Sequence, residues 1–183
     1  MSYKRWVVVS ILLFGIGIGT GLLGMGGITD LLGEDLAAFQ EQLSSIWGLP
    51  MFLVAILIFL KNVLALATSF VLSPLLCLVP VLALTVNGWL IGVVSSAVVS
   101  QKSLTFLLSG LIPHGIFELP AFIMGEAAAL NFGTMAVVAL FKKDSRYLLI
   151  PNLKQNLKYL AIALALLVPA AIIETFITPL LLT

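Results

Sequence analysis

Residues 62–101 read NVLALATSFVLSPLLCLVPVLALTVNGWLIGVVSSAVVSQ and contain no charged side chain. A helix that spans a bilayer needs about 20 apolar residues, so this stretch is long enough for more than one span. Proline removes a backbone donor and disfavours helix in the residue before it, so Ser73-Pro74 and Pro80 indicate a turn inside the stretch. The sequence therefore predicts two transmembrane helices here, at about 50–73 and 76–99.

The rest of the chain shares this apolar character. Its 183 residues are 61% hydrophobic and 9% charged, whereas soluble domains are roughly 45–50% apolar and about 25% charged. Such a chain cannot build the polar surface of a soluble domain. Its one cysteine, Cys77, excludes a secreted disulfide scaffold, and a net charge of +1 leaves no basic face for nucleic acid. The composition predicts an all-α integral membrane protein.

The other uncharged runs predict three more spans, at about 6–28, 113–140 and 159–182. Residues 103–112 precede the fourth span and would rise only about 15 Å as a helix, half of the hydrocarbon thickness. Pro113 and Pro120 interrupt the stretch that follows. We therefore expect a short half-spanning or interfacial element before the fourth span. The prediction is a single membrane domain over residues 1–183 with five transmembrane helices.

Charges at the ends of the spans predict the orientation. Lys4 and Arg5 precede the first span, and residues 142–158 carry five basic side chains and one acidic one. Residues 29–49 carry four acidic side chains and no basic one. Cytoplasmic flanks collect Lys and Arg, so the amino terminus is predicted inside and the carboxyl terminus outside the cell membrane. Only an odd number of membrane crossings between residues 50 and 141 places the acidic connection 29–49 outside and the basic connection 142–158 inside.

Glycine pairs four residues apart predict close helix packing. They are Gly15/Gly19 and Gly17/Gly21 in the first span and Gly88/Gly92 in the third. Small residues at this spacing let helix backbones approach closely within a membrane. The pairs are consistent with packing inside the chain and, alternatively, with a homodimer.

Two connections predict helices at the membrane surface. Leu32, Leu36, Phe39 and Leu43 share one side of a short amphipathic helix in the acidic connection 29–49. In the basic connection, apolar and basic side chains alternate over residues 151–160, which predicts an interfacial helix that continues into the last span. Its basic side chains are suited to contact with anionic lipid.

Five ionisable residues and two asparagines are the candidate functional residues inside the predicted spans, where ionisable groups are costly and commonly functional. They are Lys61, Asn62, Asn87, His114, Glu118, Glu126 and Glu174. At about 1.5 Å per residue, Lys61 and Glu126 lie at similar depth, which suggests an ion pair. Glu118 and Glu174 both fall in the outer half of the membrane and are expected to face each other.

His114 and Glu118 are four residues apart and therefore share one helix face. An imidazole and a carboxylate in this arrangement can bind one divalent ion or simply contact each other. A metal site needs further ligands, from Glu174, Glu126 or a second subunit. The predicted metal ligands are His114, Glu118 and Glu174, and the alternatives are a structural polar cluster and a transport or catalytic site.

The run PHGIFELP at 113–120, followed by Gly125 and Gly133, resembles the stage II sporulation protein M family of integral membrane proteins. Asn62 at the start of an apolar hairpin and Asn87-Gly88 with Gly92 add to the resemblance, which covers about residues 50–140. The resemblance implies a multi-span protein without a known cofactor. In spore formers such proteins work with a cell-wall hydrolase and a second membrane protein. The broader implied role is a component for the cell envelope or membrane remodelling.

Three functions follow from these features. The first is a non-enzymatic scaffold whose partners are membrane lipid, a second copy of the chain and other membrane proteins. The second is a transporter or ion pathway that uses the polar residues inside the membrane. The third is an intramembrane metal-dependent hydrolase, with His114 and Glu118 as ligands and Glu174 or Glu126 as ligand or base. The chain has a single histidine, whereas zinc hydrolases usually use two or three nitrogen or sulfur ligands. We therefore expect the scaffold, without a resident cofactor.

Overall fold

The structure is a computed structural model that describes residues 2–23 and 49–181. The long helices of this part are α1 (Tyr3–Leu23), α2 (Met51–Leu72), α3 (Leu78–Gln101), α4 (Leu104–Phe141) and α5 (Leu149–Phe176). A 3-10 helix (Lys143–Leu148) joins α4 to α5, and a short α6 (Thr178–Leu181) follows α5. The described residues form no strand. Five helical segments are long and apolar enough to cross a membrane, which confirms the predicted number of spans.

The fourth span differs from the prediction in one respect. Residues 104–112 are helical, but they are the first turns of α4 and not a separate element. The helix begins after Ser103, whose Oγ accepts a hydrogen bond of 3.1 Å from the Phe106 N–H. Pro113 and Pro120 each remove one backbone donor, and α4 continues through both. Its 38 residues rise about 57 Å, well beyond the hydrocarbon thickness.

A tight turn joins α2 to α3 at the predicted position. Ser73 Oγ donates to the Phe70 carbonyl at 2.8 Å, and the Cys77 N–H donates to the Ser73 carbonyl at 2.9 Å. Leu76 and Cys77 adopt positive φ values of 55° and 58°. Pro80 lies in the first turn of α3, where a missing N–H costs no hydrogen bond within the helix. The turn therefore lies at Ser73–Cys77, between the two spans α2 and α3.

The helices α1 and α3 run parallel and touch through their backbones. A Cβ added to Gly17 would lie 3.1 Å from Gly88 Cα, and a Cβ added to Gly21 would lie 3.1 Å from Gly92 Cα. These four glycines therefore pack inside the chain, as one of the two interpretations predicted. A Cβ added to Gly15 or Gly19 would meet no atom within 4 Å among the described residues.

The helix α4 packs against each of the other four long helices. The side chains of Ala127, Ala128 and Ala129 are fully buried, so a run of small residues lets the neighbouring helices approach. On one side of α4, the ring of Phe132 stacks on that of Phe70 from α2, with centroids 5.2 Å apart. α4 is therefore the helix against which the other four long helices pack.

The start of α1, with Lys4 and Arg5, and the basic connection 142–158 lie at one end of the bundle, which we call the basic end. The rings of Tyr3 and Tyr159 stack there with centroids 3.6 Å apart, so the start of α1 lies beside α5. Contacts along the helices show that α2 and α4 run in one direction and α1, α3 and α5 in the other. This arrangement agrees with three crossings between residues 50 and 141.

The two helices predicted at the membrane surface have different outcomes. The helix α5 runs without a break from Leu149 to Phe176, so the predicted helix at 151–160 does continue into the last span. The amphipathic helix predicted within 29–49 falls almost wholly at residues 24–48, which lie outside the described residues. Contact with lipid and the side of the membrane that the basic end faces stay predictions.

Candidate functional site

The site begins on α4, where the PHGIFELP run places His114 and Glu118 one turn apart. His114 Nε2 lies 3.8 Å from Glu118 Oε2, and the two side chains are 16% and 30% exposed. This distance is too long for a hydrogen bond. The imidazole and the carboxylate therefore face each other across a gap and do not bond directly.

The helix α2 supplies a polar partner for the carboxylate. Asn62 Nδ2 donates a hydrogen bond of 3.1 Å to Glu118 Oε1. The other carboxylate oxygen, Oε2, is the one that faces His114. Asn62 therefore fixes the rotation of the Glu118 carboxylate and leaves one of its oxygens available to the site.

The end of α5 supplies a second carboxylate. Glu174 lies in the last turn of α5, and ligand atoms of His114, Glu118 and Glu174 all lie within 4.8 Å of one another. Thr178, just beyond the helix end, places its buried Oγ1 3.5 Å from His114 Nδ1 and donates to the Ile173 carbonyl at 3.3 Å. The sequence analysis missed Thr178, because threonine at a helix end carries no signal that it faces a histidine in a different helix.

Lys61 borders this group of side chains. It is exposed on α2, next to Asn62, and interacts electrostatically with Glu174. We call the assembled group the polar cluster. It comprises Lys61, Asn62, His114, Glu118, Glu174 and Thr178. It lies where α5 ends, on the side of the bundle away from the basic end.

Glu126 is separate from the polar cluster. Ser69 Oγ donates to Glu126 Oε2 at 2.5 Å, and Oε1 has no hydrogen-bond partner among the described residues. Lys61 precedes Ser69 by eight residues on α2, which is about 12 Å along the helix axis. The ion pair suggested between Lys61 and Glu126 therefore does not form, because the two side chains lie at different depths.

Asn87 also lies away from the polar cluster. Its side chain is exposed on α3, and Nδ2 donates to the Ala83 carbonyl of the same helix at 2.8 Å. The next residue, Gly88, packs against α1. Successive helical residues are rotated by about 100°, so Asn87 points away from the bundle interior.

A third polar group lies near the basic end and was not predicted. Asn131 Nδ2 donates to Asn156 Oδ1 at 3.1 Å, and Asn156 Nδ2 donates to Asn152 Oδ1 at 2.9 Å. The two amides that join α4 to α5 are buried. The sequence did not mark this pair, because Asn131 is one neutral polar residue within a predicted span and Asn156 lies in the strongly charged connection 142–158.

The polar cluster offers one imidazole and two carboxylates at membrane depth. Charged groups there are costly unless a partner of opposite charge or a dense set of hydrogen bonds compensates them. The arrangement can hold a cation between the carboxylates or share a proton among them. It brings together the three residues that the sequence predicted as metal ligands, whereas Glu126 and Asn87 are not part of it.

Comparison with known proteins covers nearly the whole chain. Residues 10–179 match the family model described as Stage II sporulation protein M. An uncharacterized protein of Methanocaldococcus jannaschii is 26% identical over 174 residues, which are 94% of this chain and 93% of that protein. No solved structure matches the chain.

Proposed function

Because the chain belongs to the stage II sporulation protein M family, we propose that it is a non-enzymatic membrane scaffold in a complex for the cell envelope or membrane remodelling. It is a multi-pass membrane protein with five membrane-spanning helices. The partners proposed are membrane lipid, a second copy of the chain and other membrane proteins. The amino terminus and the basic end are assigned to the cytoplasm, because Lys and Arg collect on that side.

The observation that carries the scaffold proposal is a second packing face on α1. Gly17 and Gly21 are used inside the chain, whereas Gly15 and Gly19 meet no neighbour among the described residues. We call this surface the Gly15 face. It comprises Gly15 and Gly19 with the exposed side chains of Ile11, Leu12 and Leu22. Small residues at this spacing favour close helix association in a membrane, so the face suits a helix of another membrane protein.

The first experiment compares the size of the native complex, extracted in mild detergent, across matched variants. The double substitution Gly15→Leu/Gly19→Leu is expected to reduce the complex to the single chain, because large side chains hold a partner helix away. Ala65→Leu is the control, since Ala65 is exposed on α2. His114→Ala should keep the complex. An unchanged complex in the double variant, or its loss in His114→Ala, would contradict the proposal.

Crosslinking distinguishes a homodimer from a complex with another protein. Cys77 is the single cysteine of the sequence, so a Cys77→Ser background allows one new cysteine at a time. Gly15→Cys is expected to form a disulfide-linked dimer in membranes if the partner is a second copy. A cysteine at the exposed Leu64 of α2 is the control and should stay monomeric. An equal yield of disulfide-linked dimer from both positions would show that the crosslinks come from random collision in the membrane and not from contact at the Gly15 face.

Labelling tests the proposed orientation in the same background. Gln101→Cys places a thiol at the α3–α4 turn, and Asp144→Cys places one in the α4–α5 connection. Both positions are exposed. A maleimide that does not cross membranes should label Gln101→Cys in intact cells and Asp144→Cys only after lysis. The reverse pattern would overturn the assignment.

The second candidate function is an ion pathway, and the specific observation that favours it is Glu126. This residue is 1% exposed, lies inside a membrane-spanning helix and has one carboxyl oxygen without a hydrogen-bond partner among the described residues. Flux into liposomes that hold the purified protein would be compared with flux into empty liposomes. An ion pathway requires that the flux falls when Glu126 or Lys61 is replaced by a neutral residue. The flux should stay unchanged in Asn87→Ala. Flux equal to that of empty liposomes rejects it.

A further inference from the structure

We propose that the polar cluster binds one divalent transition-metal ion through His114, Glu118 and Glu174. The proposal goes beyond the scaffold function and does not depend on it. Its basis is the geometry of three candidate ligands from two helices, the two side chains that position them, and the charge that they carry at membrane depth.

The distances fit a shared ion. Zinc binds nitrogen and oxygen ligands at about 2.0–2.2 Å, so two ligands of one tetrahedral ion lie about 3.4 Å apart. His114 Nε2 and Glu118 Oε2 are 3.8 Å apart. One ligand atom each from His114, Glu118 and Glu174 lie within 4.8 Å of one another. Side-chain rotations that shorten the longest of these separations by about 1.4 Å would bring three ligand atoms onto one ion. A tetrahedral site then keeps a fourth position for water.

The two ligands on α4 are each positioned by another polar side chain. Asn62 donates to Oε1 of Glu118, so Oε2 is the oxygen left for an ion. The Thr178 hydroxyl lies beside Nδ1 of His114, so Nε2 is the nitrogen left for an ion. Metal ligands are commonly held in this way, with the second ring nitrogen or carboxylate oxygen bonded to a neighbour.

A purely structural pair would join the imidazole and the nearest carboxylate by a direct hydrogen bond, since they lie one turn apart on a single helix. Instead the atoms of His114 and Glu118 that face each other stay 3.8 Å apart, beyond hydrogen-bond distance. The remaining atoms of both side chains are directed at Thr178 and Asn62. The gap between them is the position assigned to the ion.

Charge supports a divalent ion. Ligand atoms of two carboxylates lie within 4.8 Å of each other and of an imidazole nitrogen, and the exposed Lys61 supplies one positive charge at the edge. Uncompensated charge inside the membrane is costly, and a divalent ion neutralises both carboxylates. Imidazole with carboxylates suits Zn²⁺ or Mn²⁺, whereas Mg²⁺ and Ca²⁺ prefer oxygen ligands alone.

The test uses the full chain purified in detergent, stripped with a chelator and re-equilibrated with Zn²⁺ or Mn²⁺. Elemental mass spectrometry should then find about one ion per chain. His114→Ala, Glu118→Gln and Glu174→Gln should each reduce the bound metal at least roughly tenfold. Glu126→Gln is the matched control, because Glu126 lies on the same helix outside the polar cluster, and it should bind as the parent does.

Three further readouts separate metal binding from a folding defect. Asn62→Ala and Thr178→Val should weaken metal affinity by roughly 10–100-fold, since they remove only the positioning groups. Added metal should raise the unfolding temperature of the parent and of Glu126→Gln, but not that of Glu118→Gln. Co²⁺ added to the parent chain should produce the visible absorption of a nitrogen–oxygen site. Substoichiometric metal in the parent without a Co²⁺ spectrum would overturn the proposal. Metal binding by the three ligand variants that equals binding by the parent would also overturn it.

Discussion

Gly17 of α1 and Gly88 of α3 bring the two helices into backbone contact. A Cβ added to Gly17 would overlap the Thr85 carbonyl oxygen and lie 3.0 Å from the Trp89 nitrogen. The same arrangement recurs one turn later between Gly21 and Gly92. Backbone atoms cannot rotate away as a side chain can, so the interface tolerates no side chain at these positions.

The first prediction follows from this contact. Gly17→Val should destabilise the folded chain by about 1–3 kcal/mol or more, because the two helices must separate to admit the side chain. Ile16→Val is the control on the same helix, since Ile16 is exposed and lies outside the Gly15 face. Thermal unfolding in detergent, followed by circular dichroism, measures the difference. Equal midpoints for the two variants would show that α1 does not pack on α3 through Gly17.

The sequence predicted the number of spans but could not choose between the glycine faces. Uncharged runs locate helices in the membrane because each span needs a fixed length of apolar residues. The pairs Gly15/Gly19 and Gly17/Gly21 have the same spacing, and only the position of α3 decides which of them is covered. Spacing along one helix carries no information about the direction in which the next helix lies.

The residues of the candidate site could also be predicted only in part, because spacing along one helix does not show which residues of other helices lie beside it. His114 and Glu118 share a face because they lie on one helix, so that pair could be predicted from spacing. Asn62 and Asn87 looked equivalent as polar residues within spans, yet Asn62 faces Glu118 and Asn87 bonds to its own helix. Thr178 enters the polar cluster only because α5 ends beside α4. These placements depend on packing between helices.

The second prediction concerns Gly133, which lies against the α2–α3 turn. A Cβ there would overlap the Ser73 carbonyl oxygen and lie 2.8 Å from Cys77 Sγ. Gly133→Ala should lower stability by about 1–3 kcal/mol, since the turn must shift. Gly115→Ala is the matched control on α4, because its nearest atom would be Leu119 Cδ1 at 3.8 Å. Unfolding midpoints that fall equally in both variants would contradict this contact.

The third prediction concerns the amides that join α4 to α5. Asn156→Leu should cost about 1–3 kcal/mol, because it leaves the buried Asn131 amide without its acceptor. The double variant Asn131→Leu/Asn156→Leu removes both partners and should recover most of the loss. A double-mutant cycle from unfolding free energies gives the coupling. Additive losses from the two single variants would show that the amides do not act as a pair.

The fourth prediction concerns Ser69 and Glu126. Ser69→Ala removes the donor of a buried hydrogen bond and leaves both carboxyl oxygens of Glu126 without a partner, which should cost about 1–3 kcal/mol. Glu126→Gln keeps the size of the side chain and an acceptor for Ser69, so its midpoint should stay close to that of the parent.

Adding Glu126→Leu to Ser69→Ala should restore stability, because the buried carboxyl group that lost its partner is then absent. The three variants are compared by unfolding in mixed detergent, with helix content checked in each. A Ser69→Ala variant as stable as the parent would mean that the Glu126 carboxyl group finds another partner.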